Sequence, residues 1–236
     1  MKAFVCNSPD IEAFNRNAKA FWDEKGVFSG LHKLMSVRMA YIKEQLPENL
    51  KELEVLDVGC GGGLVAEALA RLGARVTGLD QGEAVLEVAR AHAREQGLDI
   101  AYHQGSAESF SRGKAQFDVI VALEVVEHVP DLKAFFEALG GMLKKDGVLI
   151  VATLNRTLKS YLYGIVMAEL VLGWAPAGSH AWDQFARPSE LAALAAPLGL
   201  RARDVCGVVY SPFKGGFVLR KGRTEVNYMM SFQKTG

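Results

Sequence analysis

From Leu53 onward, short apolar runs rich in β-branched residues alternate with stretches whose apolar positions recur every three or four residues. That alternation predicts a parallel sheet covered by helices on both faces. Strands are expected at Glu54 to Val58, Arg75 to Leu79, Ile100 to His103, Phe117 to Leu123 and Val148 to Thr153. Helices are expected at Leu64 to Leu72, Glu83 to Gln96 and Leu132 to Lys144, the last stopped by Asp146-Gly147. Two later runs, Leu200 to Tyr210 and Glu225 to Gln233, read as strands joined at the Gly-rich Lys214 to Phe217 turn, an antiparallel hairpin on one sheet edge. The expected fold is therefore α/β: a doubly wound, Rossmann-like, mostly parallel sheet of seven strands in a single domain over residues 1–236.

Two segments depart from this pattern. Ile11 to Gln45 reads as two helices with an apolar stripe of Phe14, Ala18, Phe21 and Trp22, an N-terminal cap over about residues 10–46. The second is an apolar, aromatic-rich helical insertion over about residues 158–187, densest from Leu158 to Ala177.

Composition narrows the partners. Among 236 residues, Lys plus Arg equals Asp plus Glu at 27 each, so no net field attracts nucleic acid. Cys6, Cys60 and Cys206 are widely spaced and odd in number, which fits a reducing compartment rather than a disulfide framework or a zinc site. Met1 to Asp10 carries neither an apolar signal nor an Arg/Ser-rich amphipathic stretch, and a cytoplasmic location is expected.

The most informative run is Val55-Leu56-Asp57-Val58-Gly59-Cys60-Gly61-Gly62-Gly63, a strand opening through glycines into a helix. Without Cβ atoms, the backbone of such a loop can approach a ligand closely. A dinucleotide fingerprint would require glycine at the sixth position from Gly59, where Leu64 stands, so that pattern is not met. Asp80 closes the second strand about 20 residues downstream, the interval at which an acid reaches ribose hydroxyls in nucleotide-binding α/β folds. Asp57, beneath the glycine turn, is placed to hold loop amides or a ligand's amino group.

Together with Phe117-Asp118-Val119-Ile120, these motifs resemble the class I S-adenosylmethionine-dependent methyltransferases over Leu53 to Thr153. The resemblance implies S-adenosylmethionine as cofactor, with Gly59, Gly61 and Asp80 in its site and Leu123 and the Ser106-Ala107 pair flanking its adenine. Many members of that class carry Asp where Ser106 stands.

A narrower resemblance runs nearly end to end. It rests on Phe21-Trp22-Asp23, Phe28-x-x-Leu31-His32 and Arg38-x-x-Tyr41-Ile42 in the cap, and on Val125-Val126-Glu127-His128-Val129-Pro130-Asp131 beyond the fourth strand. It continues through Thr153-Leu154-Asn155-Arg156, Gly178-Ser179-His180, Trp182-Asp183 and Val226-Asn227-Tyr228-Met229. These segments are similar to the ubiquinone-biosynthesis O-methyltransferases, which methylate polyprenylated catechols and demethylubiquinol. By that resemblance Arg38 contacts the cofactor's carboxylate, for which a guanidinium is a two-pronged match.

Methyl transfer to a phenol oxygen needs an in-line approach and a partly deprotonated nucleophile. Two solutions remain open. His128 can serve as general base, since an imidazole with an ordinary pKa of about 6.5 suits proton removal at neutral pH. Alternatively, Glu124, Glu127 and His128, three and four residues apart, would share one face of a helical turn and hold a divalent ion that acidifies a catechol. The resemblance favours magnesium for that ion. A small soluble phenol as acceptor, or a non-catalytic cofactor-binding scaffold in a biosynthetic complex, are the competing readings.

Tyr161 to Trp174 carries a single charge, Glu169, and falls short of the ~20 apolar residues that cross a bilayer. Lys159 and the aromatic residues near both ends suit an interfacial helix; packing on the sheet or in a dimer contact is the alternative. A polyprenylated substrate implies peripheral association with the inner membrane, and contact with other ubiquinone-biosynthesis enzymes.

Overall fold

In the computed structural model, residue 12, residues 15–162 and residues 182–235 are described. Eight strands form one sheet: β1 (Glu54–Val58), β2 (Arg75–Asp80), β3 (Ile100–Gln104), β4 (Phe117–Leu123), β5 (Leu143–Leu154), β6 (Leu200–Ser211), β7 (Gly216–Lys221) and β8 (Asn227–Lys234). Their order is β3-β2-β1-β4-β5-β8-β6-β7. β1 to β5 are parallel, β8 runs antiparallel between β5 and β6, and β7 is an antiparallel edge.

Alternation along the strands divides the core. Val55, Val76, Val119, Val121 and Ile150 face α1 (Ser29–Gln45), α2 (Leu64–Arg71) and α3 (Glu83–Glu95) on one side. Leu56, Ile120, Leu149 and Val151 face α4 (Leu132–Met142) and α5 (Pro188–Ala195) on the other. Central strands buried on both faces need no polar alternation, which is why they read as continuous apolar runs.

Three expectations change. The sheet has eight strands, not seven, because Gly216–Lys221 forms a strand of its own, and the hairpin is β6–β7 around a turn at Pro212–Lys214. The run ending near Gln233 is instead an interior strand, paired on both sides. The helix expected to reach Lys144 ends at Met142, because Leu143 pairs with Phe117 and begins β5. Asp146 then turns the chain with φ 61° before the register resumes at Val148. In the cap, α1 is the expected second helix, whereas the first is described only as residue 12 and a short helical run from residue 15 into a 3₁₀ turn at Ala18–Ala20. Phe14 and most of the apolar insertion, residues 163–181, lie outside the described residues.

The strand order reverses between β1 and β4. In open α/β sheets the crevice beyond the carboxyl ends of the strands at such a point is where ligands bind.

Candidate active site

The glycine run turns from β1 into α2 at that crevice. Gly59, Gly61 and Gly63 all have positive φ, at 71°, 51° and 92°, a backbone region that strains any residue with a Cβ. Asp80, at the end of β2, braces the loop: Gly61 N–H donates to its Oδ2 and Gly82 N–H to its Oδ1, both at 2.8 Å. Burial raises the Asp80 carboxyl, an effect these amides partly offset. Each oxygen keeps a lone pair for a ligand hydroxyl.

Asp57, in β1 one residue before the strand ends, is only 3% exposed. Its Oδ2 has no hydrogen-bond partner among the described residues. Burial pushes its pKa up to about 7; the Ala66 amide and the charge of Arg38 act against the rise, and the charge of Asp80 adds to it. A buried acceptor without a partner, under a loop of bare backbone, fits the amino end of a cofactor.

Ser106 and Ala107 follow β3. The Ser106 side chain caps the one-turn helix Ala107–Phe110 by accepting from Ser109 N–H at 3.3 Å, and Ala107 is buried. Leu123 ends β4, buried on the α1 side of the sheet.

Beyond Leu123 the chain passes through Glu124, whose φ is 55°, into a 3₁₀ turn at Val126–His128. Arg38, on the buried face of α1, donates from Nη2 to Glu124 Oε1 at 2.8 Å, and Asn227 of β8 donates from Nδ2 to the same oxygen at 3.1 Å. Thr153 of β5 donates its hydroxyl to Glu127 Oε2 at 2.8 Å. Burial acts to raise Glu124, but the Arg38 guanidinium, with hydrogen bonds from Glu127 and Asn227, holds its carboxyl below the ordinary range. Burial and the adjacent Glu124 charge lift Glu127 well above it. The two carboxyls are thus pushed in opposite directions, Glu124 down by Arg38 and Glu127 up by burial and by Glu124.

The three metal-ligand candidates are not gathered as a single α-turn would gather them. Among the described residues, no group of three or more His, Cys, Asp or Glu side chains is placed to hold a metal ion. The left-handed residue and the tighter turn bring Glu124 and Glu127 together, and Arg38 pairs with Glu124.

Four contributors were not singled out by sequence reasoning: Asn227, Thr153, and the covering pair Phe21 and Trp22. All lie in segments of the family resemblance, which was the available signal. Trp22 Nε1 donates to Gly62 O at 3.1 Å, and the Phe21 ring fills the space a Cβ on Gly62 would need.

A mostly parallel sheet with this strand order, a positive-φ glycine loop and acids at the ends of β1 and β2 define a class I S-adenosylmethionine-dependent methyltransferase. Residues 56–151 match the family described as methyltransferase domain. The fold is similar to that of magnesium protoporphyrin IX methyltransferase from Synechocystis PCC 6803 with bound SAH (TM-score 0.67, 18% identity, 95% of each chain). It is equally similar to a SAM-dependent methyltransferase, possible histamine N-methyltransferase, from Thermotoga maritima (TM-score 0.67, 18% identity, 95% of this chain and 99% of that one). In sequence the chain is 43% identical over 240 residues to a ubiquinone biosynthesis O-methyltransferase of Methylocella silvestris, covering 95% of this chain and 93% of that protein. It is 43% identical over 234 residues to the protein of the same name in Brucella anthropi, covering 95% and 94%. The chain belongs to the ubiquinone biosynthesis O-methyltransferase family.

Proposed function

We propose that this enzyme transfers the methyl group of S-adenosylmethionine to a ring hydroxyl of polyprenylated catechol and demethylubiquinol intermediates, acting as a single methyltransferase domain. The observation that carries this reading is the extent of the kinship: it spans 95% of the chain and not only the general fold of residues 56–151.

The cofactor supplies an electrophilic methyl group held on a sulfonium. Asp57 would hold its amino group, Arg38 its carboxylate and Asp80 its ribose hydroxyls, while Gly59 and Gly61 would let the backbone approach, and Ser106, Ala107 and Leu123 would border the adenine. Methyl transfer to oxygen requires an in-line approach, which such contacts would serve. The acceptor's phenol, with an ordinary pKa near ~10, must lose its proton as the bond forms. His128, on the turn beside the glutamate pair, removes it. Glu127, whose Oε1 has no partner among the described residues, takes the neighbouring ring hydroxyl and orients the ring.

Magnesium is a second reading, favoured by one observation: Glu127 Oε1 and Asn227 Oδ1 are both buried and unpartnered beside the Glu124–Glu127 pair. These are hard oxygen donors of the kind magnesium accepts. They fit the ion in donor type but not in number, so no step above is routed through it.

Association with the membrane surface is proposed from the substrate's lipid tail and from the apolar run Tyr161 to Trp174. The described residues leading into that run expose Leu158 (83%), Tyr161 and Leu162. No described helix is long and apolar enough to cross a membrane. Liposomes should pull down the intact protein and not a variant with Ile165, Val166 and Leu170 changed to Ser; equal binding removes the membrane role. Contacts with other ubiquinone-biosynthesis enzymes rest on the pathway alone.

The deciding experiment is methyl transfer to a short-chain prenyl catechol and to a demethylubiquinol analogue, each with and without magnesium, against a soluble catechol lacking the prenyl group. Preference for the prenylated acceptors is expected. Equal turnover of the soluble catechol would move the reading to a general phenol methyltransferase, and cofactor binding without turnover would move it to a scaffold.

A further inference from the structure

Glu67 is an acid with no solvent exposure at all, on the helix that follows the glycine loop. A carboxylate in that position must have partners. Arg71 donates to its Oε2 at 3.1 Å, and His92 of α3 pairs through Nδ1 with its Oε1 at 2.6 Å. So held, the His92 ring lies flat against the indole of Trp22, with centroids 3.5 Å apart and planes 13° from parallel. The same indole donates to the Gly62 carbonyl, in the middle of the glycine loop. Trp22 is therefore gripped from two sides, by a ring on α3 and by backbone of the loop.

Its neighbour Phe21 completes the closure. Phe21 is 2% exposed, and a Cβ on Gly62 would come within 2.2 Å of its ring. The Phe21 carbonyl pairs with His32 Nε2 at 2.9 Å, and its ring packs on Phe28 with centroids 5.0 Å apart. Both contacts tie the Phe21-Trp22 pair to the start of α1, the helix that carries Arg38. What happens at Trp22 is thus transmitted to the cap as a unit.

We infer that Trp22, braced by His92 and Glu67, is a positioning residue that latches the N-terminal cap onto the glycine loop, so that S-adenosylmethionine enters and S-adenosylhomocysteine leaves only when the latch opens. The chain of contacts runs through four separate parts of the molecule: the cap, the loop, α2 and α3. Glu67 and His92 act through the Trp22 ring. Their task is to present a flat ring at one place, and the indole N–H then fixes the register of cap against loop. Stacked aromatic pairs and single hydrogen bonds are each individually modest, so the latch can open thermally on the time scale of turnover.

The test is the dissociation of tritiated S-adenosylhomocysteine in a chase with excess unlabelled ligand, together with the KM for each substrate. Trp22→Ala and His92→Ala should speed dissociation by about tenfold and raise the KM for S-adenosylmethionine, leaving that for the acceptor unmoved. Trp22→Phe, which keeps a ring on His92 but has no N–H, should fall between these variants and the parent. Leu191→Ala, in the opposite core cluster, controls for general loss of stability: it should lower Tm without changing the dissociation rate. If Trp22→Ala does not fold, Trp22→Phe and His92→Asn carry the test. The inference is overturned if folded latch variants release ligand at the parent rate, or if Leu191→Ala speeds release as much as they do.

Discussion

Cofactor binding should expel a proton, and Asp57 is the group that gives it up. The carboxyl is almost wholly enclosed, one of its oxygens has no partner among the described residues, and burial pushes its pKa up to about 7. An ammonium group docked on the empty oxygen would hold the charged form and bring the pKa down into or below the ordinary carboxylate range. Proton release per ligand should then be about 0.9 at pH 6, about 0.5 at pH 7 and about 0.1 at pH 8, from the fraction protonated before binding. Titration calorimetry with S-adenosylhomocysteine in buffers of different ionisation enthalpy reads this number directly as a slope. Asp57→Asn should abolish the slope and weaken binding. A slope of zero at pH 6 in the parent, or an unchanged slope in Asp57→Asn, would refute the assignment of Asp57 to the amino group.

The same carboxyl links stability to pH. Its folded value of about 7 lies above the ordinary 3.8, so the native state holds a proton that the unfolded chain releases across that window. The contribution is fully present below about pH 4 and is lost as pH rises through 7. A shift of about three units corresponds to on the order of 4 kcal/mol. Wild-type Tm should therefore fall relative to that of Asp57→Asn as pH rises from 4 to 8.

Other expectations follow from the geometry. Arg38→Met should weaken S-adenosylhomocysteine binding at least tenfold and, by leaving Glu124 buried without its partner, destabilise the fold by about 3 kcal/mol; Arg38→Met with Glu124→Gln should recover much of the stability in a denaturant melt and none of the affinity. Gly59→Ala would place a Cβ 2.2 Å from Val125 Cγ2 at a positive φ, and should cost about 1–3 kcal/mol in stability along with most cofactor affinity. Tyr228→Phe removes a buried hydroxyl that donates to Ala186 O at 2.9 Å; it should cost about 1 kcal/mol by chemical denaturation and leave the KM for S-adenosylmethionine in place.

The parts of this molecule legible in the sequence are those in which neighbours in the chain act together. β1 and β4 are legible because apolar residues dominate both runs, as burial of both faces of a central strand requires, with Asp57 and Asp118 the acids within them. The glycine loop and Asp80 are legible because backbone geometry and one strand length fix them. The meeting of Arg38, Glu124 and Asn227 is not, since the partners of Glu124 lie 86 and 103 residues away and come from the cap and from β8. The start of β5 was hidden for a similar reason: only the Phe117 partner makes Leu143 a strand residue, while its local pattern continues the helix before it. β7 was missed because an edge strand with half-exposed residues lacks a clear apolar face. The edge and the site are both made by tertiary contact, which periodicity does not encode.

β8 follows β6 and β7 in the chain yet lies between β5 and β6 in the sheet. On the ribosome, a long edge of β5 must therefore wait with its peptide groups unpaired until residue 234 has emerged, and the β6–β7 hairpin must stand aside for the later strand. Such a nascent intermediate presents an open sheet edge to any neighbouring chain. Asn227 and Tyr228 arrive on that same strand, so a polypeptide stalled before it would have the glycine loop, both acids and the Arg38–Glu124 pair but would lack the Asn227 amide on Glu124. Slow translation through residues 200–226 should accordingly raise aggregation more than slow translation through β1 to β4, a difference that pulse-labelled expression can measure.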